Sequence, residues 1–99
     1  MKKEEFCIMR DNPPYWRNHR ESGLERHEIF EGNGGNRKKS IEDGLVVFLT
    51  PEQHRTGKDA IHKNYEWWDE VKREGQRTWM DYYGKTKEEF RERYYRNWI

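Results

Sequence analysis

The chain has 99 residues, of which 39% are charged and only 31% hydrophobic, so it holds one domain and no large aliphatic core. Its 20 Lys and Arg against 19 Asp and Glu leave a net charge of +1, which argues against a self-repelling disordered chain. The 5 Trp and 6 Tyr point instead to a thin aromatic core.

Read in chain order, Met1-Lys2-Lys3 is basic, but Glu4 and Glu5 follow where a signal peptide needs apolar residues. The longest apolar run, Leu45–Leu49, is far short of the ~20 residues of a membrane helix, so a cytoplasmic chain is expected. Cys7 is the one cysteine, with Arg10 where a second thiolate would sit. It reads as a small buried hydrophobe or a lone nucleophile, and it excludes a multi-thiolate metal site. Residues 1–23, with Pro13-Pro14 and Gly23, read as irregular. Leu24–Phe30 and Gly44–Leu49 read as two strands, joined by a long hairpin loop over Glu31–Gly44 that carries Gly32-Asn33-Gly34-Gly35-Asn36.

Thr50-Pro51-Glu52-Gln53 has the form of a capping box with proline at the first helical position. It predicts a short helix ended by Gly57. Ile61, Tyr65, Trp68, Val71, Gly75, Trp79 and Tyr82 then recur at helical steps, and Gly84 suits the helix end. A glycine at 75, inside that pattern, implies a close neighbour. Of Trp67-Trp68, the second belongs to the core stripe; the first is open to a base-stacking role or to none. Thr86 and Glu89 form a second capping box, and Phe90, Tyr94 and Trp98 make one stripe on a last helix. The fold class is therefore α+β: a hairpin and short helix, followed by two C-terminal helices.

No phosphate-binding glycine loop, Gly-x-Ser-x-Gly or Cys-x-x-Cys is present. The informative residues are histidines. His27 and Glu28 fall on the first strand, His54 on the capped helix, and His62 eight residues further on. A strand and a helix can bring such residues to one divalent metal ion (Mg, Mn or Zn), where the ion stabilises charge on a phosphate and an adjacent base activates water. Taken singly, each histidine also fits a surface or hydrogen-bonded residue. The segment Asn36-Arg37-Lys38-Lys39 reads either as a phosphate-backbone contact, giving affinity without sequence specificity, or as a solvated loop.

The ordered segments Leu24-Glu25-Arg26-His27-Glu28-Ile29-Phe30, Asn36-Arg37-Lys38-Lys39-Ser40, Gly44-Leu45-Val46-Val47, Thr50-Pro51-Glu52-Gln53-His54 and Ala60-Ile61-His62 resemble a family of small phage and prophage HNH-like proteins, similar to the RecA-dependent phage nucleases. The C-terminal Trp79, Tyr82-Tyr83-Gly84, Glu89-Phe90 and Arg96-Asn97-Trp98-Ile99 are similar too, so the match spans roughly residues 7–99.

The resemblance implies a ββα-metal fold over residues 24–57, a helical part over 58–99, and metal-dependent DNA cleavage in phage recombination or DNA processing inside a bacterial host. His54 and His62 fall on metal-ligand positions, the latter alternatively on a phosphate contact. His27 falls on the ligand position and Glu28 on the general base, or the reverse. Partners implied are DNA, a recombinase filament, or a host or phage protein. The chain departs from the family pattern at Glu28, where a second histidine is usual, and at Gln53, where the helix has a double histidine. Cys7…Arg10 and Thr50-Pro51 replace the family's zinc-binding thiolates, so Tyr15 and Trp16 are expected to hold the start of the chain by packing. These departures keep open a non-catalytic HNH-like scaffold that binds DNA or a protein.

Overall fold

The computed structural model describes residues 5–99; Met1-Lys2-Lys3, on which the absence of a leader was read, lies outside them. The elements are β1 (Glu25–Glu28), a 3-10 turn (Asn33–Gly35), α1 (Asn36–Asp43), β2 (Val46–Leu49), a single π-type turn (Glu52–Thr56), a second 3-10 turn (Ile61–Lys63), α2 (Tyr65–Tyr83) and α3 (Lys87–Tyr94). β1 and β2 pair antiparallel, with Glu25 opposite Leu49 and His27 opposite Val47. The chain is α+β, as its sequence predicts.

β2 is buried along its whole length because its sequence, Val46-Val47-Phe48-Leu49, offers no polar side chain to water. The N-terminal segment lies along it. Ile8 N donates to Gly44 O at 2.9 Å, the Cys7 thiol donates to Val46 O at 3.1 Å, and Arg17 and Phe48 exchange both backbone bonds. Burial raises the Cys7 pKa, which suits a packing role for the thiol. Of the two expected anchors, Trp16 is buried, with its indole N–H on Arg10 O at 2.9 Å. Tyr15 is 58% exposed, so its ring is not a buried anchor, and its backbone N–H donates to Asn12 O at 2.8 Å.

The expected hairpin loop is instead largely helix. α1 occupies Asn36–Asp43 and closes on Gly44, whose φ of 77° is the left-handed conformation glycine adopts most readily. The residues this helix buries are Asn36, Ser40 and Asp43. Their spacing is helical, but every one is polar, so no hydrophobic period marks the helix. Ser40 satisfies its burial by bonding both the N–H and the C=O of Phe30, at 3.0 and 2.7 Å. That pair of bonds docks α1 on the end of the β1 segment.

α2 starts at Tyr65 rather than Ile61, because Asn64 caps it by accepting from Trp67 N at 3.1 Å. Its buried stripe is Trp68, Val71, Gly75 and Trp79, joined by Gln76. A Cβ at Gly75 would lie 3.2 Å from Phe30 and 3.4 Å from Ile29, which is the close neighbour the sequence called for. α3 begins with the Thr86–Glu89 capping box, both bonds at 3.1 Å. It ends at Tyr94, so Trp98 reaches the stripe from beyond the helix. Phe30, Phe90, Tyr94 and Trp98 nevertheless form one aromatic cluster, with ring centroids between 4.8 and 6.1 Å apart.

Asp43, at the end of α1, ties the three helices together. Its carboxylate accepts from Trp79 Nε1 at 2.9 Å, Tyr94 OH at 2.7 Å, and both Nε and Nη2 of Arg93 at 2.5 and 2.8 Å; its carbonyl accepts from Tyr83 OH at 2.9 Å. Removing one partner of a buried charge pair costs ~3–5 kcal/mol because the other is left unpaired. Asp43→Ala is therefore expected to lose about that much stability in urea unfolding, and Asp43→Asn somewhat less. A loss under 1 kcal/mol for Asp43→Ala would contradict this role.

Candidate metal centre

His27, His54 and His62 come together. One ring nitrogen from each lies within 4.8 Å of the other two. His27 points inward from β1 and is 2% exposed. His54 sits on the π-type turn, which the expected capping box fixes: Thr50 Oγ1 accepts from Gln53 N at 3.1 Å, and Gln53 Oε1 accepts from Thr50 N at 3.0 Å. The turn is one wide loop, not the short α-helix expected, because Gly57 N bonds back to Glu52 O at 2.8 Å, one residue further than an α-helix reaches. His62 returns on the second 3-10 turn. Trp68 of α2 forms a wall behind the cluster, its ring centroid 5.0 Å from those of both His27 and His62.

The hydrogen bonds assign tautomers. Glu25 Oε1 lies 2.9 Å from His54 Nδ1, and a carboxylate accepts, so His54 carries its proton on Nδ1. Its Nε2 then presents a lone pair. That lone pair faces His62 Nε2 at 2.9 Å, so His62 is the donor of this contact. His27 Nε2 is buried and has no hydrogen-bond partner among the described residues. A buried polar atom left unpaired costs ~1–3 kcal/mol, and an ion shared with His54 would remove that cost. Three imidazoles with a carboxylate behind one of them suit zinc and related transition ions. Nitrogens bound to one zinc at ~2.1 Å lie at most ~4.2 Å apart, so small side-chain rotations suffice to close the site.

The cluster lies in an open cleft of about 620 Å³, also lined by Arg20, Glu25, Arg26, Glu28, Glu31, Arg37 and Arg55. Glu28 is on the cleft wall but outside the three-nitrogen cluster. Its two oxygens are taken by Arg26 Nε at 3.0 Å and Arg37 Nε at 2.7 Å. The carboxylate that touches a histidine of the cluster is Glu25, which the sequence reading did not single out. The signal was there: Glu25 and His27 are two apart on a strand, and so share a face.

The basic segment is divided by its helix. Arg37 faces the cleft and Lys38 is exposed. Lys39 Nζ bonds Arg93 O at 2.8 Å and Tyr95 OH at 3.0 Å, and buried Asn36 donates to Tyr94 O at 3.3 Å, so these two hold the C-terminal segment. His19 is exposed and pairs with Asn18 and Glu21 away from the site.

The fold and cleft thus define a small α+β chain with a three-histidine candidate metal centre. No family model, curated protein or solved structure matches the chain.

Burial, reinforced by His54 and His62, pushes the His27 pKa down to about 2; the desolvated His62 is shifted the same way. Between pH 6.5 and about 2 the unfolded chain takes up a proton at His27 that the folded chain refuses. Stability without metal must therefore fall with falling pH, on a slope that steepens below pH 6.5 and totals roughly 2 kcal/mol between pH 7 and pH 5 from His27 alone. Urea unfolding in the presence of a chelator at pH 7, 6 and 5 should show this slope, and His27→Asn should remove most of it. Equal wild-type stability at pH 7 and 5 would show that His27 is not desolvated.

Proposed function

We propose that this chain is a metal-dependent DNA endonuclease of the HNH-like, ββα-metal type, acting in phage recombination or DNA processing. The observation that carries the reading is the convergence of His27, His54 and His62 from hairpin, turn and following segment, with the buried His27 Nε2 left without a partner among the described residues. The order of those residues along the chain is the order that the resemblance implies.

His27, His54 and His62 would hold the ion. Glu25, hydrogen-bonded to Nδ1 of His54, orients that ligand and raises its basicity. Once bound, the ion supplies a Lewis acid for an oxygen of the scissile phosphate. Glu28 stands at the general-base position, and its exclusion from the nitrogen cluster favours that role over the ligand role. To accept a proton from water it must exchange one of its guanidinium partners. Arg37, 69% exposed, is the one a phosphate can draw away. Arg37 and Lys38 remain available to the DNA backbone, whereas Asn36 and Lys39 reach it only if the C-terminal contacts open.

The occupied Glu28 carboxylate also favours a second reading, a non-catalytic scaffold that keeps the HNH-like arrangement to bind DNA or a protein. Plasmid nicking separates the two. With Mg²⁺, Mn²⁺ or Zn²⁺ the wild type is expected to nick supercoiled DNA, alone or on a recombinase filament. His54→Ala should lose at least 100-fold, and Glu28→Gln 10²–10⁴-fold, the usual range for a general base. DNA binding without cleavage under any ion would favour the scaffold; cleavage unaffected by His54→Ala would overturn the site.

The role of Glu25 has its own readout. Removal of a carboxylate behind a metal-binding histidine costs 10–100-fold in metal affinity. Calorimetric zinc titration of Glu25→Gln should show that loss with the fold retained by circular dichroism. Unchanged affinity would exclude Glu25 from ligand positioning.

A further inference from the structure

The net charge of +1 conceals where the cations are free. Four arginines line the histidine cleft. Three of them are neutralised: Arg20 and Arg26 by Glu5, Arg26 again by Glu28, and Arg37 by Glu28. Arg55 differs. Among the described residues it forms no ion pair and no side-chain hydrogen bond, although it is exposed on the cleft and its charge acts on both His27 and His62. It follows His54 directly on the π-type turn.

A second free group adjoins the cluster from the α2 side. Lys72 Nζ sits 4.5 Å above the Trp68 ring, the same ring that packs edge-on against His27 and His62. The same ammonium lies 5.5 Å from the Trp98 ring, and Arg96 lies 4.8 Å from Trp98. Neither Lys72 nor Arg96 has an ion-pair partner within 4.0 Å among the described residues. Aromatic faces hold these cations without neutralising them. Burial lowers the Lys72 pKa, the mark of a cation whose charge is incompletely solvated. Lys72 adjoins the cluster through the Trp68 ring, which contacts both His27 and His62, and Asp69 acts on it electrostatically without pairing. The contacts therefore run in one series: Arg55 next to His54, then His62 and His27, then Trp68, Lys72, Trp98 and Arg96.

We propose that Arg55 on one side of the histidine cluster, and Lys72 with Arg96 on the other, hold the phosphates neighbouring the one at the metal centre, so that the site takes a polynucleotide backbone in preference to an isolated phosphodiester. The inference rests on the phosphodiesterase reading above and deepens it. A single phosphate needs no cations beyond those that touch it, whereas a polyanion gains from each free cation by counterion release. Free cations serve this better than the paired arginines, which must first give up a carboxylate. The intervening Trp68 and Trp98 rings are covered by the cations, so the track reads backbone charge and carries no base specificity.

The test is anisotropy of a labelled 20-nucleotide DNA, single-stranded and duplex, titrated with the full chain in EDTA over a series of salt concentrations. Each lost phosphate contact lowers the slope of log K against log salt by ~0.7 for a single strand or ~0.9 for a duplex. Arg55→Gln should lower it by about one contact, and the Lys72→Gln/Arg96→Gln pair by one to two. Lys87→Gln, an exposed lysine on α3, serves as the control and should leave the slope unchanged. Circular dichroism establishes that each variant is folded. Slopes equal to wild type in Arg55→Gln and in the Lys72/Arg96 pair, or an equal drop for Lys87→Gln, would overturn the track. Zinc titration of the wild type separates this from the metal reading. Lowered slopes without zinc binding would retain the track and overturn the metal centre, and zinc binding with unchanged slopes would do the reverse.

Discussion

A carboxylate taken out of water must find donors for both oxygens, and Asp43 finds four of them on α2 and α3. Much of the molecule follows from that demand. The chain has too few aliphatic side chains to glue three helices together by area alone, so directional bonds take over part of the work. The Arg93 fork supplies two parallel bonds, Trp79 and Tyr94 one each, and Tyr83 meets the backbone carbonyl of the same residue. The low dielectric that strengthens each of these bonds also raises the cost of losing one, since a missing donor leaves part of a buried carboxylate unsatisfied. Tyr94 shows the coupling: burial first, and then its bond to Asp43, raises its pKa strongly and keeps it a donor.

The same constraint sets the position of the cleft. α1 is anchored at its C-terminal end by Asp43, in its middle by Ser40 on Phe30, and at its N-terminal end by Asn36 on Tyr94 O. With the helix held at three points, Arg37 projects onto the cleft, where it pairs with Glu28. Phe30 in turn packs on Phe90, Tyr94 and Trp98 and closely approaches Gly75, which fixes the end of the β1 segment against α2. His27 is three residues before Phe30, so the buried imidazole inherits its position from the aromatic cluster.

Legibility in the sequence followed the kind of signal each element carries. Strands β1 and β2, both capping boxes, the close approach at Gly75 and the three histidines announce themselves through apolar pattern, turn chemistry or rare residue type. α1 does not, because its buried face is Asn36, Ser40 and Asp43, and a polar stripe is indistinguishable from a loop when only hydrophobic period is read. The glycines before it strengthened the wrong reading; they lie in a turn that precedes the helix. Glu25 was missed for a different reason. The neighbouring pair His27-Glu28 drew attention to adjacency, whereas on a strand the residue sharing the face of buried His27, and so able to reach His54 beside it, lies two residues away. Arg55 carried no sequence signal at all, since being unpaired is a property only the fold confers.

The meeting of His54 and His62 depends on breaking helical geometry. In a continuous α-helix, residues eight apart are separated by ~12 Å along the axis, yet these two nitrogens are 2.9 Å apart. The chain must therefore stop, turn and come back. The wide turn over Glu52–Thr56 supplies the stop, with Gly57 leaving in an extended conformation. A side chain at 57 would meet the Glu52 carbonyl at 2.5 Å, so a glycine there is a steric requirement of the turn. Buried Ala60 and Ile61 pull the returning chain onto the core, and the 3-10 turn over Ile61–Lys63 delivers His62. A tighter helix at Thr50–Gly57 would have been more regular and would have carried His62 away from its neighbours. Irregular backbone at this point is the condition for three imidazoles to share one small volume.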